Sequence, residues 1–487
     1  MRRSHPPLFI FLATLPLITA VAAVTACDRP EHEPSPEEAS VTTADDEPAE
    51  LTVEAWLADR ALPFESIVDI DELLEMAASR RLILLGESTH GTREYYEIRA
   101  QLTLELLKAD PGIDFIAYEG DFHTGEALTA FVHGEGDEED LHQLLRDTFQ
   151  RWPDWLWANE EFADFLLELR AYFADHPERA VPLFGIDIFS PFDSIDALNE
   201  LVARHHPDHA EEIAGHLDCI GQYRPEMVSY LRALHDRNHH HHHHGHDHDH
   251  DHDHDHDGWS CEAAVKTAQD LTRELFDGDS LDDLRARKNA RVIVINELYQ
   301  RAHFPHIDDR WNSRAEGMHT LAQGLLESFG PDSRGVIWAH NTHIGDARAT
   351  AMGDRGETNI GHRSRETMGE DQVLSIGFSN HRGEVIAAQD TRRPTQVMDV
   401  PTAIEGTVDD LLHHIDVPRY VLIFDEADRE LPFFEERPGH RAIGIVYDPI
   451  RERFGNYPDT NPAARYDALI FLEETRALTP LNMPEEP

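Results

Sequence analysis

Three short stretches carry side chains suited to hydrolysis. Arg81–Arg99 reads RLILLGESTHGTREYYEIR and holds Glu87, His90 and Arg99; Glu119 follows the apolar run Phe115–Tyr118; His340 and His343 follow Val336–Trp338 in IWAHNTHIG. An imidazole that titrates near neutral pH can take a proton from water, and a carboxylate beside it fixes its tautomer and raises its basicity. Glu87 or Glu119 can serve His90 in this way. A placed base is worth roughly 10²–10⁴-fold, so the remaining rate must come from positioning and from donors to the developing oxyanion. Arg99, His340 and His343 are the available donors, and the oxyanion is assigned to one of the two histidines. Arg99 falls on the helix stripe that should face the sheet, where a buried arginine must find an acid; bracing a carboxylate and touching substrate are equally open to it. Glu87, His90, Glu119, His340 and His343 also have the donor types of a divalent-metal shell, although the expected chemistry requires no metal. Ser88 is a poor nucleophile candidate, because the strand-to-helix elbow of serine hydrolases needs glycine where His90 stands. Trp152 and Trp155, in RWPDWLWANEE, are candidate walls for a bulky apolar substrate, while Trp157 is expected to pack in the core. Asp187, Glu297 and Arg314 are further candidates for the same rim, with Asn296, Tyr299 and His303 beside them.

These groups need a scaffold that brings distant segments together. Leu82–Leu85 followed by Gly86, then Tyr95, Ile98, Leu102 and Leu106 at helical spacing, reads as strand, tight loop and helix, with Gly86 and Gly91 expected to allow sharp turns. Further apolar runs are Phe115–Tyr118, Val181–Ile186, Val292–Ile295, Val336–Trp338, Val373–Phe378, Tyr420–Phe424, Ala442–Val446 and Ala468–Leu472. Several are continuous rather than alternating, as strands covered on both faces should be. Five of them run into ionisable or amide groups, and open α/β sheets bind ligands beyond the carboxyl ends of their strands. The expected fold is therefore α/β, a largely parallel central sheet flanked by helices. Helical insertions at about 125–175 and 190–285 exceed what a minimal doubly wound domain needs.

A chain of 487 residues with 40% hydrophobic content can build a substantial core. Arg2 and Arg3, an uncharged run from Pro6 to Ala26, and Val24-Thr25-Ala26-Cys27 resemble a bacterial lipoprotein signal, which implies cleavage after residue 26 and lipid on Cys27. Residues 27–50, acidic and rich in proline and serine, are expected to tether the domain flexibly to a membrane of the cell envelope, facing the periplasm or exterior. The formal net charge is -52, most of it outside the tails, which disfavours nucleic acid as a partner. Cys219 and Cys261 can pair in an oxidising compartment, but only if the helix after Cys219 bends. Between residues 238 and 258 stand His239, His240, His241, His242, His243, His244, His246, His248, His250, His252, His254 and His256, the last six alternating with aspartates. Such a tract cannot form a core; it is expected to be a loop between helices that binds transition-metal ions weakly and multivalently.

LLGESTHGTREYYEIR, FIAYEG at 115–120 and IWAHNTHIG at 337–345 resemble the erythromycin esterase family, with weaker echoes in WPDWLWANEE, NSRAEGM, AIGIVYDP and YDALIFL. The resemblance spans roughly residues 60–475 and implies a single α/β domain over 51–487. It also implies a carboxylic ester hydrolase, with a macrolide lactone as one substrate of that type. On this resemblance Glu87, His90, Arg99, Glu119, His340 and His343 are the active-site residues, with His90 as the base that activates water. Two other readings follow from the residues: a metal-dependent hydrolase of the same fold acting on another bond, and a periplasmic metal-buffering protein working through the His/Asp tract.

Overall fold

The computed structural model describes residues 51–240, 259–302 and 310–483. Residues 1–50, with Cys27 and the expected leader and tether, lie outside the described residues. So do His303, the histidines from His241 to His256, and the side chains of His239 and His240.

Among the described residues nine strands form one sheet: β1 (Leu62–Pro63), β2 (Leu82–Leu85), β3 (Phe115–Asp121), β4 (Leu183–Asp187), β5 (Gly335–Trp338), β6 (Val373–Ala388), β7 (Thr395–Val400), β8 (Arg419–Ile423) and β9 (Ala468–Thr475). The order is β1-β8-β9-β6-β2-β5-β3-β4, with β7 paired to β6. From β9 to β4 all neighbours run parallel, while β1, β7 and β8 add antiparallel pairs at the margins. The central strands are buried on both faces, as their unbroken apolar runs require. Alternate residues serve opposite faces: Ile83, Leu85, Ile116, Tyr118, Val336 and Trp338 join the core beneath the helices Arg93–Lys108 and Glu160–Asp175, whereas Leu82, Leu84, Phe115, Ala117 and Ile337 join the core under Arg310–Phe329.

Helices fill the two expected insertions. Gly125–Val132, Leu141–Thr148 and Glu160–Asp175 occupy the first, and Pro191–His205, Ala210–Gly221, Met227–His240 and Glu262–Leu275 the second. The second group has its own apolar core, which includes Phe192, Leu198, Ile213, Tyr230 and Val265.

Two expected strands are absent. Val292–Ile295 lies inside the helix Leu281–Ala302, which packs along Pro191–His205. The β-branched run favours a strand locally, but neither glycine nor proline interrupts the chain from 281 to 302 and burial against helices overrides the preference. Ala442–Val446 makes only single bridges, from Ile443 to Thr89 and from Val446 to Ala388. Cys219 and Cys261 are bonded, with Cα atoms 5.7 Å apart. The bend this needs is a full break: one helix ends at Gly221 and the next begins at Met227.

Candidate active site

The four strands β2, β5, β3 and β4 lie side by side and bring Glu87, His340, Glu119 and Asp187 to one rim, because parallel strands present all their carboxyl ends together. Gly86 and Gly91 act by leaving room, and neither has a positive φ. A Cβ on Gly86 would come within 2.2 Å of Asn341 Oδ1, and one on Gly91 within 2.1 Å of the Ile386 carbonyl. The loop after β2 thus runs in contact with β6 and with the segment after β5. Ile443 supports it from a third side: its N–H donates to the Ser88 carbonyl (2.8 Å) and its carbonyl accepts from His90 N–H (3.1 Å).

On this support His90 Nδ1 lies 2.7 Å from Glu87 Oε1. Glu87 Oε2 in turn lies 2.9 Å from Arg99 Nη2, close enough to pair but off line for a good hydrogen bond. Arg99 is fully buried under the sheet, its guanidinium against the Tyr96 and Trp338 rings at 4.3 and 4.8 Å. It is therefore a brace for Glu87 and does not reach the cavity. Burial works against a charged His90, but the hydrogen bond and charge of Glu87, with Glu119 beyond, outweigh it and raise the imidazole pKa above its ordinary value. With Nδ1 committed to Glu87, Nε2 is the ring nitrogen left for the cavity that His90 lines.

Glu119 anchors the other half. Its Oε2 accepts the His340 backbone N–H (2.9 Å), and its Oε1 lies 2.8 Å from Arg314 Nη2 and 3.2 Å from His343 Nε2. Burial would raise the Glu119 pKa, yet His343 and Arg314 hold it well below the usual carboxylate range. Arg314, on the helix Arg310–Phe329, also reaches Asp187 through Nε (3.1 Å) and Nη2 (2.7 Å), and its Nη1 is 3.0 Å from His343 Nε2. One guanidinium fork thus ties two buried acids and an imidazole. Trp311, one turn earlier on the same helix, stacks on the His343 ring at 4.8 Å.

His340, one of the two histidines considered as oxyanion donors, has both ring nitrogens facing the protein. Its Nδ1 accepts the Thr342 backbone N–H (3.2 Å), so the ring proton sits on Nε2, which faces the Ser88 carbonyl at 3.2 Å. Burial and the neighbouring His90 push its pKa well below the ordinary value, and the neutral ring packs 4.7 Å from the His90 ring. It positions the loop that carries the base. Ser88 is buried, with its hydroxyl 2.7 Å from Tyr95 Oη.

These partners also bear on a metal. Nδ1 of His90, both nitrogens of His340 and both oxygens of Glu119 already face protein donors or acceptors, so the five residues first considered as a metal shell do not converge as free ligands.

The cavity beside these residues measures about 890 Å³. His90, Glu119, Asp187, Arg314, His340 and His343 line it, but two of the expected tryptophans do not. Trp155 is buried in the core under the sheet, and Trp152 lies outside the lining. Trp157 packs in the core as expected, against Tyr96, Tyr118 and Phe162, and also forms part of the wall, donating its Nε1–H to the Glu119 carbonyl (3.0 Å). The three rings stand ahead of the helix Glu160–Asp175, around the single 3-10 turn Asp154–Leu156, so no helical period fixes which of them faces the cavity. Glu297 is also displaced. It sits mid-helix, accepts from Tyr230 Oη (2.7 Å) and pairs with Arg301 (2.9 Å), because the run before it is helical and no strand end presents it. Asn296 likewise binds the Ile188 carbonyl instead of facing the rim.

Sequence reasoning missed Asp121, Arg151 and Trp311, all in the lining. Asp121 lies two residues beyond Glu119, and a bulge between Tyr118 and Asp121 brings both to the cavity. Arg151 Nη2 pairs with Asp121 at 2.8 Å. The signal for Trp311 was its helical spacing from Arg314.

A largely parallel sheet with a histidine, a carboxylate and an arginine fork at its carboxyl rim defines the class of this chain as an α/β protein with a polar cleft. Residues 109–475 match the erythromycin esterase family, and the chain belongs to that family. A 144-residue segment is 27% identical to erythromycin esterase type II of Escherichia coli; it covers 28% of this chain and about a third (32%) of that relative. Among solved structures, a Bacillus cereus protein superposes with a TM-score of 0.69 at 16% identity, over 88% of this chain and 98% of the other. A succinoglycan biosynthesis protein gives 0.68 at 16% identity, over 88% and 97%. A histidine-to-asparagine variant of erythromycin esterase EreC in its open conformation gives 0.58 at 14% identity, over 85% and 97%. These structures share the fold.

Proposed function

We propose that the protein hydrolyses a carboxylic ester of a bulky substrate, a macrolide lactone being one such ester, with His90 as general base. The observation that carries this reading is the chain Arg99–Glu87–His90, which leaves the second imidazole nitrogen at the cavity. Water held beside His90 Nε2 gives up a proton as its oxygen bonds to the ester carbonyl carbon. The carbonyl electron pair moves onto oxygen, and Arg314 is the fixed positive charge at hand to meet it. When the tetrahedral intermediate collapses, the proton on His90 passes to the departing alkoxide, giving acid and alcohol and restoring the base. The cavity volume lies within the range of sites that enclose a drug-sized ligand. Family membership supports the reaction class.

A panel of macrolides and simple aryl esters, assayed with and without chelator, tests the reading. Turnover should survive chelation and disappear in His90→Ala, with circular dichroism unchanged. Full turnover in folded His90→Ala would defeat the mechanism.

A further inference from the structure

Away from the cavity, two histidines and a glutamate meet on the long strand β6 and its neighbour β9. His381 stands on β6 and Glu473 on β9, at matching positions between the pairs Asn380–Leu472 and Arg382–Glu474. Parallel neighbours in register put both side chains on one face of the sheet. The turn Leu412–His414 lays the His413 ring flat on His381, with centroids 3.8 Å apart and an interplanar angle of 11°. His413 Nδ1 is 2.6 Å from Glu473 Oε2, and one donor atom from each of the three residues lies within 4.8 Å of the others. None of the three lines the cavity.

One atom in this group has no partner. His381 is only 5% exposed, and its Nδ1 is buried without a hydrogen bond. A buried polar nitrogen left unpaired is destabilising, and a missing ion is one recognised reason for such a group. Stacked imidazoles cannot satisfy each other, since their lone pairs lie in parallel planes.

The structure assigns His381, His413 and Glu473 as a site for one transition-metal ion, for which zinc is the best chemical match. Two imidazoles and a carboxylate are a three-ligand zinc set that leaves the fourth position to water. Tetrahedral zinc holds its ligand atoms about 3.4 Å apart, given bonds of roughly 2.0–2.1 Å. Closing from the present spacing requires a turn of His413, which is free to make it: its side chain is 43% exposed, against 22% for Glu473. The surrounding charges are net negative: Glu473, Asp410, Glu474 and Glu452 outnumber Arg382, whose Nη1 is 3.6 Å from Glu473, and Arg441, which is paired with Glu452. The ion would tie β6 and β9 to the turn after residue 411, a structural link that takes no part in ester cleavage.

The test uses the full chain with the twelve histidines between 239 and 256 changed to asparagine, which silences the tract. Zinc is titrated against a chromophoric chelator, and thermal unfolding is followed with and without the metal. The expected result is one zinc per chain, a higher Tm with zinc, and visible d–d bands of four-coordinate cobalt(II) on substitution. His413→Ala, exposed enough to leave the fold intact, should weaken zinc binding more than about tenfold and abolish the Tm rise; Glu473→Gln should do the same. Stoichiometric binding unchanged by His413→Ala, or no stoichiometric binding at all, would overturn the assignment. Ester turnover reports separately on the cavity, so failure of one reading leaves the other standing.

Discussion

Replacing Glu87 with glutamine changes the charge beneath the base while keeping its shape. In the wild type Glu87 lies 2.7 Å from His90 Nδ1 and raises the imidazole pKa. General-base activity requires neutral His90, so kcat/KM should climb as pH rises through a value above 6.5. Glu87→Gln removes the carboxylate charge and should therefore move the acid limb to lower pH. It should lower kcat by roughly 10²–10⁴-fold, as a weaker and less well oriented base implies. The same change orphans Arg99, which is fully buried and has Glu87 as its acid, at a cost of about 3–5 kcal/mol. Pairing Glu87→Gln with Arg99→Met removes that orphaned charge, so stability should return while the pH limb stays displaced. Steady-state kinetics on an aryl ester from pH 5 to 9, with thermal unfolding of each variant, separate the two effects. An acid limb that does not move, with kcat near wild type, would refute the role given to Glu87.

Two further outcomes test the parts that hold the site. Arg314→Lys keeps one positive charge but cannot fork between Glu119 and Asp187, so kcat/KM on the ester panel should fall more than about tenfold and Tm should drop; kinetics within twofold of wild type would contradict the clamp. Cys219→Ser opens a bridge spanning 42 positions, worth about 4 kcal/mol in the chain-entropy view. The loss should appear as earlier melting of the helices from 191 to 302, read by hydrogen exchange, with small-ester turnover retained.

Much of the rim was legible because it obeys local rules. A continuous apolar run ending in Gly86-Glu87 says buried strand and loop, and parallel strands bring such ends together wherever they fall in the chain. Glu87, His90, Glu119 and His340 could be named on that ground. The failures are equally local in origin. Val292–Ile295 has the composition of a strand, and only packing against Pro191–His205 makes it helix and carries Glu297 away from the rim. In RWPDWLWANEE the tryptophan type is readable but the rotation of each ring is not, so Trp157 and not Trp155 reaches the cavity.

By itself the sequence determined the chemical vocabulary of this protein: which strands are buried on both faces, which acids and imidazoles follow them, and where the chain cannot form a core. Tertiary structure alone decided partnership. Whether Arg99 braces or binds, which nitrogen of His340 keeps its proton, and how Arg314 holds Glu119 and Asp187 at once depend on distances between residues up to about two hundred positions apart. Hydrogen bonds and ion pairs act over a few ångströms, and no spacing along the chain encodes those.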